Sequence, residues 1–234
     1  LIWIDCLFTL FYNVSFIKSN GGVILFDSEK EIISFFAKNL IISHNSGNKT
    51  AIRVINFQKY LIELENITFN SNYCYMMPCF INMPYTGVSP NDHRLYVSQS
   101  NFIDNVIHKS LDGGLIQLYG AGSLNNFTNC LFFNNFQPNS EGITYLSSEI
   151  DFFLTFTNCQ FYKNIAKTGT IVFSDLASVL CEGCVIKENA HIDLKALGSE
   201  NTLHMDASRD LPGTYVRDHT GLRQFICKSK LDIQ

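Results

Sequence analysis

A nine-residue phrase recurs seven times in this chain of 234 residues, and it constrains the fold more than any other feature. Its clearest copies are FTNCLFFNN (127–135) and FTNCQFYKN (156–164). Each copy has an apolar anchor followed by two variable residues and, in most copies, an Asn. The anchors are Phe16, Ile42, Phe69, Phe102, Phe132, Phe161 and Ile186, spaced 25 to 33 residues apart.

A repeat of this length, built from short strands punctuated by Asn and Gly, predicts a solenoid. Helical repeats need stretches of ten or more residues with 3.6-residue periodicity, and the chain has none. A second phrase, found as GGVILF (21–26) and GGLIQLY (113–119), supplies a further strand in each repeat. We therefore predict an all-β fold, a parallel β-helix of about seven coils with two or three strands each. The coils should stack about 4.8 Å apart.

Stacking places equivalent residues of successive repeats directly above one another. Alternation along a strand sends the anchor inward, so the anchors should form a Phe and Ile stack. Asn recurs three residues before and three residues after the anchor, where it suits a left-handed bend and can form amide ladders. The predicted structural ladder includes Asn129, Asn158, Asn135, Asn164, Phe132 and Phe161.

The repeat ends near Leu197, and this divides the chain into two parts. Residues 1–197 are predicted to form the parallel β-helix repeat domain. Residues 198–234 are more highly charged and contain Pro212-Gly213. Because a solenoid needs its open end covered, this extension is expected to cap the last coil, link to another domain or dock a partner.

Charge and hydropathy exclude two broad classes of protein. The net charge of −4 argues against a nucleic-acid-binding protein, which usually presents a basic surface. The apolar stretch 1–17 contains Asp5 and Asn13 and lacks a basic flank, so it resembles neither a membrane span nor a signal peptide. No membrane span is predicted in this segment.

Two tetrapeptides in the repeats resemble those of the polymorphic membrane protein repeat family, GGA[ILV] and FxxN. FxxN occurs as FNSN (69–72), FIDN (102–105), FFNN (132–135) and FYKN (161–164). GGVI (21–24) and GGLI (113–116) resemble the other tetrapeptide, with its third-position Ala replaced.

The resemblance implies a pectin-lyase-like, right-handed β-helix, and it links the chain to secreted surface proteins and adhesins. We therefore expect a non-enzymatic structural or adhesive module that is extracellular or at the cell surface. Its expected partners are proteins or other domains of a longer chain. An alternative is a scaffold subunit of a larger assembly.

A polysaccharide-binding or polysaccharide-cleaving enzyme is a further alternative. It requires an acid–base cluster, since glycosidases use two carboxyl groups a few ångströms apart. Glu63 and Glu65 are predicted to share one outward face, with Lys38 one coil away. A solvated charge group is the interpretation that we favour for this set. The six His residues show no metal-ligand spacing, so no metal, cofactor or catalytic residue is predicted.

The eight cysteines fall into different environments. Cys130, Cys159 and Cys184 share one inward column, where they are predicted to act as small buried apolar residues, as Cys181 does in another column. Cys74 and Cys79 flank YMMP at the start of the longest repeat. A disulfide between these two is predicted if the protein is extracytosolic.

Two kinds of surface site follow from the outward positions. Asn48 and Asn126 are the candidate glycosylation sites, because their sequons do not fall in a ladder column. Ile103, Phe133 and Tyr162 follow the anchors of consecutive coils and should form an exposed apolar stripe, with Leu131 on the same sheet. Such a patch often marks a partner surface. Covering by a loop or the C-terminal segment and sugar stacking remain the alternatives.

Overall fold

The chain folds into β-strands throughout the part that the computed structural model describes. The described residues are 2–4, 8–20, 24–27, 32–48, 51–55, 59–75, 80–83, 94–108, 114–119, 124–141, 144–147, 152–168, 172–174, 177–191, 213–215 and 224–228. Their strands assemble into four sheets. In these ranges no helix has the length and apolar character needed to cross a membrane.

Each coil of the chain contains two bends, and the first two sheets contain the strands that come before the first bend. Sheet A consists of β1 (Ile2–Ile4), β4 (Ile24–Asp27), β8 (Ile52–Ile55), β12 (Ile81–Met83), β16 (Ile116–Tyr119), β20 (Thr144–Ser147) and β24 (Val172–Ser174). Sheet B consists of β2 (Phe8–Tyr12), β5 (Ile32–Lys38), β9 (Lys59–Glu65), β13 (Arg94–Ser98), β17 (Leu124–Thr128), β21 (Phe152–Thr157), β25 (Ala177–Glu182), β29 (Gln224–Lys228) and β28 (Gly213–Tyr215). Among the described strands, only β28, at the end of sheet B, is antiparallel to its neighbour.

The other two sheets contain the strands that come after the first bend, with sheet C before the second bend and sheet D after it. Sheet C consists of β3 (Ser15–Ile17), β6 (Ile41–Ser43), β10 (Thr68–Asn70), β14 (Asn101–Ile103), β18 (Leu131–Phe133), β22 (Gln160–Tyr162) and β26 (Val185–Lys187). Sheet D consists of β7 (Ser46–Gly47), β11 (Tyr73–Cys74), β15 (Val106–Ile107), β19 (Phe136–Glu141), β23 (Ile165–Thr168) and β27 (Ala190–His191).

The register of sheet C matches the sequence repeat. All seven anchors lie in this sheet, and neighbouring strands pair anchor with anchor, as in Phe102 with Phe132 and Phe132 with Phe161. The predicted fold class, an all-β parallel solenoid, is confirmed. The repeat contains four strands, however, and not two or three. The strands of sheets C and D are mostly two or three residues long, and a single-residue bend that the sequence pattern does not mark separates them.

Two columns of left-handed residues make these bends. The first lies three residues before the anchor, and φ there is between 51° and 62°: Asn13, Asn39, Asn66, Gln99, Asn129, Asn158 and Gly183. The second lies two residues after the anchor, and φ there is between 52° and 57°: Lys18, His44, Ser71, Asp104, Asn134, Lys163 and Glu188. The predicted role of the second Asn column therefore needs correction, because the residue before each of those Asn residues makes the bend.

Stacked aromatic rings form the centre of the core. The rings of Phe102 and Phe132 are 4.8 Å apart at an angle of 8°, and those of Phe132 and Phe161 are 4.7 Å apart at 3°. All three side chains are fully buried. Phe127 and Phe156 approach this stack from sheet B, with Phe156 edge-on to Phe161 at 5.1 Å. Such buried rings add contact energy beyond the area that they remove from water.

A buried asparagine ladder runs beside the aromatic stack. It contains Asn45, Asn72, Asn105, Asn135, Asn164 and Asn189. The Nδ2 atom of Asn135 donates to Asn164 Oδ1 and to the Phe102 carbonyl, both at 2.9 Å. Its Oδ1 accepts from Asn105 Nδ2 at 2.9 Å and from the Asn105 backbone N–H at 3.2 Å. All four hydrogen-bonding positions of the amide are therefore filled, and the predicted ladder is confirmed here.

A second amide ladder lies on the exterior and has the opposite direction. Asn66 Nδ2 donates to Asn39 Oδ1, and Asn39 Nδ2 donates to Asn13 Oδ1, both at 2.7 Å. Amide donors in this column point towards the first coil, whereas those of the buried ladder point towards the last. Asn129 and Asn158 occupy the same column, one coil apart.

Candidate partner-binding surface

The candidate stripe lies on the outer face of sheet C. Ile103 pairs in register with Phe133, and Phe133 with Tyr162, so the three side chains project from consecutive coils. The rings of Phe133 and Tyr162 stack with their centroids 5.6 Å apart at 18°. Leu131 lies two residues before Phe133 and faces the same way. The structure thus brings together all four residues that the sequence predicted.

Stacking between coils reduces the solvent exposure of this stripe. The four side chains are half-buried and not fully exposed, because each covers part of its neighbour on the next coil. Val185 continues the apolar surface from Leu131 towards the last coil, beyond Gln160, and is 52% exposed. The exposed parts of these side chains therefore remain available to a partner.

Charged and amide groups border the stripe on one side. Lys163 Nζ lies 5.1 Å from the centre of the Tyr162 ring and 4.0 Å from Glu188 Oε2. Asn134 Nδ2 donates to Asp104 Oδ1 at 2.7 Å. These residues belong to the second bend column or directly follow the stripe. Sequence reasoning missed them because the bend column shows no consistent residue type, yet a polar rim around an apolar centre is typical of protein interfaces.

The alternative that the C-terminal extension covers the stripe concerns residues 198–234. Of this extension the structure describes only β28 and β29, and both lie on sheet B. Covering by the remainder of the extension stays a prediction outside the described residues. Residues 84–93, which belong to the longest repeat, also lie outside them, so covering by a loop stays a prediction too.

A second surface feature lies on the outer face of sheet B. Leu10, Phe36, Glu63 and Tyr96 form a column across four consecutive coils. Together with neighbours that include Lys38 and Glu65 they line a depression of about 310 Å³. The structure therefore brings together the three charged residues of the enzyme alternative. The aromatic rings of Phe36 and Tyr96 beside them were not singled out from the sequence.

The charges in this depression pair with one another. Lys38 Nζ lies 2.8 Å from Glu65 Oε1, and both side chains are more than two-fifths exposed. The hydrogen bond to Glu65 raises the pKa of Lys38 above its ordinary value. Glu65 therefore acts as a counter-ion in this arrangement, and a glycosidase would need it as one of two carboxyl groups on either side of a glycosidic bond.

The cysteine column is polar in a way that the sequence did not predict. Cys130, Cys159 and Cys184 are buried free thiols, and so is Cys181. Each of the first three donates to a backbone carbonyl of the preceding coil, as Cys159 Sγ does to Phe127 O at 3.3 Å. Ser100 occupies the same column, and its hydroxyl accepts from the Ile67 N–H and donates to Ser98 O. The thiols therefore do more than fill apolar space.

Three other predicted sites have separate outcomes. Cys74 is buried and takes part in a disulfide bond. Cys79, its predicted partner, lies outside the described residues, so that pairing stays a prediction. Asn48 is exposed, and Asn126 is half-buried with its Oδ1 accepting from Thr128 Oγ1 at 3.3 Å. Glycosylation at these two positions stays a prediction.

Within the described residues, no group of three or more His, Cys, Asp or Glu side chains is arranged to hold a metal ion. Comparison of the chain with protein-family models, with curated proteins and with solved structures finds no match.

Proposed function

We propose that this chain is a non-enzymatic structural or adhesive module of a surface or extracellular protein. It binds protein partners through the long outer faces of its sheets. The FxxN and GG phrases support a β-helix of the polymorphic membrane protein repeat type. Right-handed winding is expected as well, since crossovers between parallel strands are almost always right-handed.

The stripe formed by Ile103, Phe133, Tyr162 and Leu131 carries this proposal. It combines an apolar centre of stacked rings with a rim of amides and charges, and aromatic residues dominate the energetics of many interfaces. Its strands are held along one side by the buried asparagine ladder, so the surface is preorganised and loses little entropy on binding. A partner with an apolar centre and a carboxylate facing Lys163 would fit it.

Adhesion measurements test the proposal. Beads coated with the chain are applied to films of extracellular-matrix proteins and to cell monolayers, and the force or flow needed for detachment is recorded. The double variant Phe133→Asp, Tyr162→Asp should lose adhesion at least about tenfold, because charges enter the centre of the interface. The matched double variant Thr128→Asp, Thr157→Asp alters the same two coils on sheet B and should adhere like the wild type.

Two results would overturn the proposed role. Equal loss in both double variants would show that added charge, and not the stripe, controls adhesion. Absence of adhesion in the wild-type chain on every surface would remove the adhesive role and leave the scaffold alternative. In that case the mass of the native particle should exceed that of the single chain several-fold.

A polysaccharide-binding role is the second candidate, and the depression on sheet B favours it. Phe36 and Tyr96 offer ring surfaces next to Glu63, a combination of apolar and polar groups that suits a sugar ring. Glu63→Gln should weaken retention on a polysaccharide affinity gel while leaving the fold intact. Release of new reducing ends by the wild-type chain, lost in Glu63→Gln, would establish an enzyme and contradict the non-enzymatic proposal.

A further inference from the structure

Cys130, Cys159 and Cys184 form a line of thiols with the spacing of the coils. Their strands pair in register, Leu131 with Gln160 and Gln160 with Val185, and each cysteine directly precedes one of these residues. Successive sulfur atoms are therefore separated by about one strand spacing, 4.7–4.9 Å. The two end thiols are separated by about twice that distance, so only Cys159 has a neighbour on each side.

This spacing disfavours a disulfide. A disulfide requires Cβ atoms about 3.5–4.5 Å apart, whereas parallel side chains on neighbouring in-register strands keep their Cβ atoms about 4.8 Å apart. The buried asparagine ladder, which runs through the same coils, resists the backbone shift that a bond would need. All three residues are free thiols in the structure.

The same spacing suits a metal ion with two ligands in a line. Metal–thiolate bonds are about 2.3 Å long for zinc, and two collinear bonds of that length span about 4.6 Å. Soft monovalent ions prefer thiolates, Cu(I) among them. Such an ion needs only two sulfur ligands, so a cluster of three or more ligand side chains is not required.

Backbone hydrogen-bond donors are directed at the sulfur atoms at both ends of the line. Cys130 accepts a hydrogen bond from the backbone of Ser100, and Cys184 accepts one from the backbone of Cys159. These backbone donors would remain in place for a metal-bound thiolate.

We propose that this thiol column is a binding site for a soft monovalent metal ion, with Cu(I) as the biological candidate. The ion lies between Cys159 and either Cys130 or Cys184, with collinear sulfur–metal–sulfur bonds. Binding releases one proton from each of the two thiols, so one metal ion replaces two protons and leaves a dithiolate complex of charge −1. No electron is transferred.

The test uses the full chain with Cys181→Ala, because Cys181 interacts with Cys184 and offers a competing pair. Ala is accepted in that column, as Ala37 shows. Cu(I) is titrated anaerobically, and native mass spectrometry counts the bound ions. Cys159→Ser should bind one ion fewer than its parent, whereas Cys130→Ser and Cys184→Ser should each retain that ion, because one pair containing Cys159 survives.

Ser is a suitable replacement because Ser100 already occupies this column with both hydrogen bonds formed. Equal binding by Cys159→Ser and its parent would overturn the proposal, as would equal loss in all three variants. X-ray absorption of the parent with one equivalent of Cu(I) gives a measurement that needs no column variant. Two sulfur neighbours in the first coordination shell support the site, and three sulfur neighbours or any oxygen ligand contradict it.

Discussion

Replacing Asn135 by Ala should remove the central link of the buried ladder. The substitution deletes two donated and two accepted hydrogen bonds, all between 2.9 and 3.2 Å. The Asn105 N–H and the Phe102 carbonyl then lose the partners given above, and the site is fully buried. Each buried polar group left unsatisfied costs about 1–3 kcal/mol, so the free energy of unfolding should fall by about 2–6 kcal/mol.

Urea denaturation followed by far-UV circular dichroism measures this loss. Asn70→Ala is the matched control, since Asn70 lies on the outer face of sheet C and its replacement should change the free energy of unfolding by less than about 0.5 kcal/mol. Unfolding of a solenoid need not be two-state. The urea concentration at the midpoint is therefore compared among both variants and the wild type, and the same dependence of the unfolding free energy on urea concentration is used for all three.

Asn135→Asp separates shape from hydrogen bonding. The carboxylate retains an acceptor but confronts the Phe102 carbonyl and Asn164 Oδ1, which are also acceptors, so its pKa should be raised in the folded state. When the pKa of this carboxyl group is higher in the folded state than its unfolded value of about 3.9, its contribution to stability is complete below about pH 3.9. That contribution is lost as the pH rises through the folded pKa. The variant should therefore be more stable relative to wild type at pH 4 than at pH 7. If the free energy of unfolding falls by less than about 1 kcal/mol in Asn135→Ala, and by no more than in Asn70→Ala, the reasoning is refuted.

Three further predictions concern the core and the bends. Phe132→Ala removes a fully buried ring stacked between Phe102 and Phe161, so urea denaturation should show a loss of about 3–5 kcal/mol. Gly183→Ala places a Cβ 2.5 Å from Asn158 Oδ1 at a φ of 62°; thermal melting should show a loss of about 1–2 kcal/mol, and adding Asn158→Ala should recover only the steric part. Burial raises the pKa of the Tyr60 phenol, so the folded chain keeps a proton that the unfolded chain loses above about pH 10. The contribution of Tyr60 to the free energy of unfolding should be complete below that pH and fall by up to about 1.4 kcal/mol per pH unit above it. Urea denaturation midpoints measured at pH 8 and pH 11 should show this loss in the wild type but not in Tyr60→Phe.

The repeat was predictable because the anchors and the buried Asn column have strict chemical requirements. Asn alone offers two donors and two acceptor sites at the reach that joins neighbouring coils, whereas Asp lacks the donors and Gln is longer. The anchor position needs a large apolar side chain, which Phe132 and Phe161 supply. These requirements show directly in the sequence as FxxN.

The second bend was not predictable, because its backbone conformation is imposed by the fold. Lys163 and Glu188 adopt φ values of 56° and 55° there, although such residues seldom do. The cost of about 1–2 kcal/mol per residue is offset by the ladder and the core on either side. A column that accepts Lys, His, Ser, Asp, Asn and Glu leaves no residue pattern to detect.

The candidate surfaces were predictable in position but not in environment. Alternation along sheet C placed Phe133 and Tyr162 on the outer face, and the register then aligned them. The cation near Tyr162 depends on the rotamer of Lys163, and the Lys38–Glu65 ion pair depends on a register between coils that the sequence suggests only through the anchors. The thiol hydrogen bonds depend on backbone carbonyls that no residue pattern shows.

The stacking of coils at one strand spacing is the central claim, and distances between spin labels on one outward column test it most directly. Lys38, Thr157 and Glu182 lie in the same column, four and five coil steps apart. Labels introduced as noncanonical residues avoid the native thiols. The 38–157 distance should be about 19 Å and the 38–182 distance about 24 Å, one spacing of about 4.8 Å longer. Equal distances, or a shorter 38–182 distance, would contradict the parallel β-helix.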